Sequence, residues 1–328
     1  MVLMGQKFIF NPSIAGKLIL ILKIARPRTW MFANISYLFA GLQGNRVVLW
    51  QLGLGIVIFS LLTGATNMIN AYTDIEEDRI NNFFRVKWLT QIGSYNLIKA
   101  TVIAYLSVIV LSLILGPSFT LIVVLAVLDS IFYSLPPLRF KKHPIISLLS
   151  FSGAVGFPFL AGLAIINKID LYNPVFILLT LFMMTYGTVK NIPDFIGDKL
   201  VGLKTSATIF KNQKSAIIAS TVLLTIPYLS LIVFIGLNIL DKIYAFSIPL
   251  IVFPFCWAYV NLKTEKREMS ERLHTYGFMY AIFFLLYTFL LTYPSITSLT
   301  ITVIIPLTLF LITKFSIDSR KELPINLN

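Results

Sequence analysis

The chain has 328 residues, 57% of them hydrophobic and 12% charged, with a mean hydropathy of +0.84. Lys and Arg outnumber Asp and Glu by 27 to 14, a net charge of +13. So apolar a composition excludes a soluble globular enzyme, and the positive charge points to no nucleic-acid partner, because no polar basic module stands apart from the apolar runs. Cys256 is the single cysteine and lies in an apolar run, which excludes a disulfide framework and a cysteine metal site.

Residues Ile14–Ala25 form a weakly amphipathic stretch with Lys17 and Lys23, suited to lying in the headgroup plane. The stretch lacks the small-residue cleavage pattern of a signal peptide. Apolar runs of bilayer-spanning length follow, the first two at Thr29–Leu42 and Leu52–Thr73. The second leads into an acidic cluster, NAYTDIEED, from Asn70 to Asp78. Asn70, Asp74 and Asp78 recur every fourth residue, which on a helix places them on one stripe about 6 Å apart per step. Acids at a helix C-terminus face the negative end of its dipole, so a cation is required nearby. Arg79, Arg85 and Lys87 supply part of that charge, and a bound metal is suited to the rest. Hard oxygen donors without His or Cys favour magnesium. Taken alone, this D-x-x-x-D reads more readily as a solvated loop with helical charge pairing than as a metal site.

The next spans are Leu97–Leu115 and Phe119–Leu135. Asp129 lies inside the latter, one turn before Tyr133, and is either a cavity-facing functional acid or a hydrogen-bonded structural one. Beyond it, YSLPPLRFKKHP runs from Tyr133 to Pro144. Pro136–Pro137 end the helix and fix where Arg139, Lys141 and Lys142 point. Such a loop binds phosphate or simply orients the protein; Arg139 is the one favoured as functional.

Spans at Ile145–Ile166 and Pro174–Val189 lead to a second cluster, KNIPDFIGD, with Lys190, Asp194 and Asp198 again at every fourth position. Pro193 should kink or end the helix before Asp194, and Gly197 and Gly202 allow the backbone to approach a ligand. Lys190 points to the same mouth, either to bind a diphosphate oxygen or to snorkel to the interface. Six of the 14 acids fall in these two clusters. Both follow spans directed to the same side, so their four aspartates can converge. Such convergence is repulsive unless metal and a diphosphate offset it. His143 and His274 have no partner pattern and are given no chemistry.

The remaining spans are Ala216–Leu237, Ile243–Leu262, Leu273–Thr292 and Leu299–Thr313. The expected fold class is all-α, a polytopic membrane helical bundle of about nine transmembrane helices, with a tenth at the C-terminus if Leu299–Thr313 crosses fully. Residues 1–328 read as a single integral-membrane domain. Alternating the spans puts 24 of 27 Lys and Arg on one side, leaving Arg46, Lys168 and Lys242 on the other. The rule that positive loops stay inside then predicts a multi-pass protein of the cell membrane, with both clusters facing the cytoplasm and basic loops touching anionic lipid.

Three motifs together resemble the UbiA superfamily of intramembrane prenyltransferases: N-x-x-x-D-x-x-x-D at Asn70–Asp78, Y-S-x-P-P-L-R-x-K at Tyr133–Lys141 and K-x-x-x-D-x-x-G-D-x-x-x-G-x-K-T at Lys190–Thr205. The likeness extends over roughly residues 15–292. It implies a helical bundle around a large central cavity with a cytoplasmic cap. It also implies magnesium-dependent transfer of a prenyl group from an isoprenyl diphosphate to a lipophilic acceptor. By that resemblance Asn70, Asp74, Asp78, Asp194 and Asp198 would hold Mg2+. Lys190, Arg139 and Lys204 would bind the diphosphate, and Tyr186 would support the cation or the acceptor; Asn70, Lys141 and Arg85 are expected to bind substrate as well. Where many relatives carry an N-R-P-x-R-P-type segment, this chain has INNFFRVKWLTQIG, leaving Arg85 and Lys87 as equivalents; it also has Asn191 where many have Asp. The Tyr133–Lys141 loop is most like branches acting on chlorophyllide or carotenoids, with a quinone-precursor aromatic or a glycerophosphate lipid as other acceptors. A membrane terpene cyclase of the same fold is the alternative activity. A transporter fits less well, because one deep acid, Asp129, is too few for a translocation route.

Overall fold

The computed structural model describes residues 12–44, 48–263, 267–315 and 317. Lys7, Arg46, Lys266, Arg320 and Lys321, counted above for orientation, lie outside them. Helix α1 (Ile14–Ala25) starts where the Ser13 hydroxyl accepts the Gly16 N–H at 3.2 Å, and it leaves Ile14, Leu18, Ile19 and Leu22 exposed. This is the face an interfacial helix offers to lipid. A 3-10 turn at Pro27–Thr29 then leads into α2 (Trp30–Gly41). With 12 residues, α2 is about 18 Å long, less than the roughly 30 Å of a bilayer core.

Next come α3 (Leu49–Thr73), the short α4 (Ile75–Asn81) and α5 (Phe83–Ile92), and α6 (Ser94–Ser112), which tightens to a 3-10 turn before Gly116. Helices α7 (Pro117–Ser134), α8 (Pro144–Ile165), α9 (Pro174–Lys190) and the short α10 (Phe195–Leu200) follow. The chain closes with α11 (Gln213–Gly236), a 3-10 stretch at Lys242–Ile251 running into α12 (Val252–Leu262), α13 (Arg267–Thr292) and α14 (Ile296–Lys314).

Every span expected from sequence is helical. Among the described residues eight stretches are long and apolar enough to cross a membrane, so this is a multi-pass membrane protein. The expected tenth span is among the eight, as the 19-residue α14, whereas α9 is shorter at 17 residues. The span expected at Ile243–Leu262 begins as 3-10 helix, around Pro249, which cannot donate to an α-helical ladder.

Two apolar cores share α2 and α8. One gathers α9, α11, α12 and α13 around Phe39, Phe159, Phe182 and Phe284; the other gathers α3, α5, α6 and α7 around Tyr37, Phe59 and Phe119. Gly162 sets how closely α2 and α8 cross. A Cβ there would lie 2.5 Å from the Tyr37 carbonyl oxygen and 2.8 Å from the Gly41 nitrogen, so no larger residue fits without parting the helices. The short, buried α2 thus works as a central wedge, and the cavity opens beside it.

Candidate active site at the mouth of the bundle

The two acidic motifs do not lie on continuous helices. Helix α3 ends at Thr73, and Asp74, with φ −107° and ψ 22°, closes it and opens α4. Helix α9 ends at Lys190, as Pro193 predicts, and Asp194 opens α10. Each stripe is therefore bent at its middle aspartate, which turns the last aspartate of each motif across the mouth of the bundle. There α4 packs against α10. Asn81 Nδ2, three residues beyond the first motif, donates to the Asp194 carbonyl at 3.4 Å and to Asp198 Oδ1 at 3.1 Å, the latter 117 residues away in sequence, and so joins the two motifs. Gly197 is required at this junction, because a Cβ would run into the Asn81 amide.

The first motif is compensated by cations from two other elements. Arg85, on the first turn of α5, reaches Asp78 Oδ2 at 2.5 Å and Asp74 Oδ2 at 3.8 Å. Asn82 caps that helix through the Arg85 N–H at 3.4 Å. Lys141 Nζ pairs with Asp74 Oδ1 and lies 3.9 Å from Glu77 Oε1. Arg139 takes a left-handed conformation, φ 36°, and donates from Nη2 to the Thr73 carbonyl and to Glu77 Oε1, both at 3.1 Å. Arg79 and Lys87, named from sequence as further compensators, are exposed. The compensating charge thus comes from the loop before α8 as much as from the motif's own neighbourhood.

The second motif differs. Asp198 is buried, and its hydrogen-bond partner is the neutral Asn81 amide. Burial, then Asp194, then Glu77 push its carboxyl up to about 8. Burial likewise pulls the Lys141 ammonium down to about 7, against the opposing pull of Asp198. These mutual influences place Glu77, Lys141, Asp194 and Asp198 in one electrostatic neighbourhood. Among the described residues no group of three or more His, Cys, Asp or Glu is arranged to hold a metal unaided. Paired oxygen donors in a field that penalises their charge suit a divalent cation completed by phosphate oxygens and water.

Below the mouth lies a cavity lined by Arg28, Phe32, Asn70, Tyr133, Tyr186 and Lys190 among others. Lys190 Nζ stands 4.4 Å from the Phe151 ring centroid and 5.8 Å from that of Tyr133, a cation held between aromatic faces. Tyr186 is buried, parallel to Phe182 and tilted against Phe32 at 6.0 Å. The Ser134 hydroxyl donates to Asn70 Oδ1, tying α3 to α7 at the rim.

Of the residues named from sequence, the fold gathers Asp74, Asp78, Asp194, Asp198, Arg85, Arg139 and Lys141 at the mouth, with Asn70, Tyr186 and Lys190 lining the cavity. Lys204 is exposed in the turn after α10 and does not line it. Sequence reasoning passed over Glu77 and Asn81. Glu77 lay within the cluster, but only the loop carrying Arg139 shows that it points inward. Asn81 had no signal beyond its place three residues after Asp78. Asn191, unusual at its position, donates from Nδ2 to Ser206 Oγ at 2.9 Å and pins the loop that follows α10.

The chain is similar in sequence and in fold to known proteins. The chain is 27% identical over 221 residues to digeranylgeranylglyceryl phosphate synthase of Methanothrix thermoacetophila, covering 66% of this chain and 81% of that protein. It is 29% identical over 174 residues to 2-acylphloroglucinol 4-prenyltransferase of Humulus lupulus, covering 50% of this chain and 42% of that protein. The fold is shared with a UbiA homologue from Archaeoglobus fulgidus solved with GPP and Mg2+, at a TM-score of 0.62 and 19% identity over 81% of this chain and 99% of that one. The UbiA prenyltransferase family model matches residues 29–284, most of the length of this chain, which therefore belongs to the UbiA prenyltransferase family.

Proposed function

We propose that this enzyme transfers the prenyl group of an isoprenyl diphosphate to a lipophilic acceptor, using Mg2+ held by Asn70, Asp74, Asp78, Asp194 and Asp198, at a site open to the cytoplasm of the cell membrane. The observation that carries it is the meeting of the two aspartate motifs through Asn81 directly above a cavity that holds Lys190. The names of the similar proteins favour a glycerophosphate lipid or a phenolic ring as acceptor over a chlorophyllide or carotenoid.

When bound, the metal would neutralise the charge that grows on the departing diphosphate. This chain's own residues do the rest. Lys190, Arg85, Arg139 and Lys141 present preplaced positive charge to diphosphate oxygens, which favours the leaving group as it separates. Lys141 and Arg85 also hold Asp74 and Asp78 in place, so the carboxylates are oriented before substrate arrives. The Tyr133, Phe151 and Tyr186 rings present electron-rich faces below the mouth, suited to an allylic cation. The apolar walls built by Phe32, Phe59 and Phe157 take the hydrocarbon chain and keep water away from the reacting carbon. The cytoplasmic orientation is supported by Arg79, Arg85, Arg139, Lys141, Lys142 and Lys190 all lying at the end of the bundle that carries the site.

The test is diphosphate release by the purified protein in lipid nanodiscs with Mg2+ and geranyl, farnesyl or geranylgeranyl diphosphate, with a glycerophosphate or phenolic acceptor. Release that stops on chelation, and that Asp74→Asn and Asp194→Asn lose, is the expected result. No release with any donor, or variants indistinguishable from the parent, overturns the reading.

A further inference from the structure

Below the rim the cavity is lined by Thr63, Thr66, Asn67, Asp129, Ser130 and Ser150. A prenyl chain is hydrocarbon and offers these groups nothing, so at membrane depth they serve either internal structure or a second, polar molecule. Structure accounts for several of them. Thr66 Oγ1 donates to the Leu62 carbonyl at 2.9 Å and shares a hydrogen with Ser130 Oγ at 2.7 Å. Ser130 also meets the Tyr105 hydroxyl at 2.6 Å. Asn67 Nδ2 donates to the Ala25 carbonyl at 3.0 Å and to Thr29 Oγ1 at 2.9 Å.

Asp129 is different. Ser150 Oγ donates to its Oδ2 at 2.9 Å, while Oδ1 accepts no hydrogen bond from any described residue and no described cation pairs with the carboxylate. Gly153, almost one turn beyond Ser150, lies beside it: a Cβ there would stand 3.4 Å from Oδ2, an ordinary contact, and 2.8 Å from the Phe157 ring, so the missing side chain makes room for Phe157. Two cross-helix hydrogen bonds fix its depth. Ser134 with Asn70 marks the rim, and Ser130 with Thr66 marks the layer one turn lower, about 5 Å below. Asp129 belongs to the lower layer. It therefore stands just beneath the place where the rim residues would hold a diphosphate, at the level of the carbon that loses it.

We infer that Asp129 is the acceptor's base: it takes a hydrogen bond from the hydroxyl of an alcohol acceptor and receives its proton as that oxygen attacks the prenyl carbon. The inference rests on the prenyl-transfer reading above. The bond between C1 of the prenyl group and the diphosphate oxygen breaks, and its electron pair leaves on the diphosphate. The acceptor oxygen bonds to C1 and its proton passes to Asp129 Oδ1, from which water removes it after product release. An alcohol needs this help more than a phenol. Phenols lose their proton near pH 10, whereas the O–H of water, a fair stand-in for an alcohol, does so near 15.7. Positioned bases contribute about 100- to 10,000-fold.

The parent, Asp129→Asn, Asp129→Glu and Ser150→Ala, in nanodiscs with Mg2+ and geranylgeranyl diphosphate, should be compared on two probes. One is a monoalkyl glycerophosphate, an alcohol; the other is an acylphloroglucinol, a phenol. Asp129→Asn should lower the ratio of alcohol to phenol product about 100-fold. Asp129→Glu should restore part of that ratio, and Ser150→Ala should give an intermediate value. A merely structural role lowers both products together and leaves the ratio where it was, which overturns the inference. A parent that prenylates the phenol but not the alcohol overturns it as well. A parent that releases no diphosphate at all brings down the prenyl-transfer reading instead, so the two failures are distinguishable.

Discussion

The two aspartate motifs have the same spacing, yet the last aspartate of each sits in a different electrostatic setting. At the first, Asp74, Glu77 and Asp78 are each matched to Lys141, Arg139 or Arg85 within the protein. At the second, Asp198 is buried against a neutral amide and feels Asp194 and Glu77, so its carboxyl is driven up to about 8. Carboxylates paired with cations form a scaffold, whereas a carboxyl whose charge is penalised by burial and neighbouring acids, as that of Asp198 is despite the attraction of Lys141, favours a cationic ligand. The first motif thus reads as the anchored half of the site, and the second as the half whose stability depends on what binds.

That contrast can be broken by substitution. The largest effect is expected at Asp198: Asp198→Asn should cut diphosphate release about 100- to 1000-fold and raise the Mg2+ concentration for half-maximal release more than Asp78→Asn does. An equal or reversed order, measured by Mg2+ titration of both variants, would erase the difference between the motifs. Next comes Asn81. Asn81→Asp places a further negative charge beside Asp198 and should lower release about tenfold or more below Asn81→Ala, a repulsion of at least roughly 1.4 kcal/mol.

Gly197→Ala tests the junction itself. Its Cβ meets the Asn81 amide, and overpacking of this kind costs about 1–3 kcal/mol, visible as a lower thermal midpoint together with weaker release. Lys141→Ala removes the partner of Asp74 and should raise KM for the donor while the protein still folds, with Lys141→Arg restoring much of it. The smallest effect is expected at Lys204, exposed after α10. Lys204→Ala should change release by no more than about twofold, in keeping with an exposed side chain. A larger loss would bring Lys204 back into the diphosphate set.

Legibility varied with the range of the forces involved. The helices were readable because burial in lipid demands long apolar runs, and Pro193 announced the break after Lys190 because a missing donor acts locally. Asp74 as a helix boundary was not readable, since no proline or glycine marks it and its backbone angles are set by the turn of α4 toward α10. The arrival of Arg139 and Lys141 at the first motif was equally hidden, because 62 and 67 residues separate each from its carboxylate.

The sequence by itself determined that this chain lives in a membrane, which residues carry its scarce negative charge, and that two matching motifs share one side of the bundle. Hydropathy, charge and spacing are local properties, and the bilayer enforces them segment by segment. Only the tertiary structure decided which cations meet the first motif, that Asn81 and Gly197 join the motifs, and that Asp129 opens onto the cavity while Thr66, Asn67 and Ser130 bond to neighbouring helices or turns. Those outcomes depend on contacts between helices far apart along the chain, where a single angstrom separates a paired carboxylate from one that needs a partner.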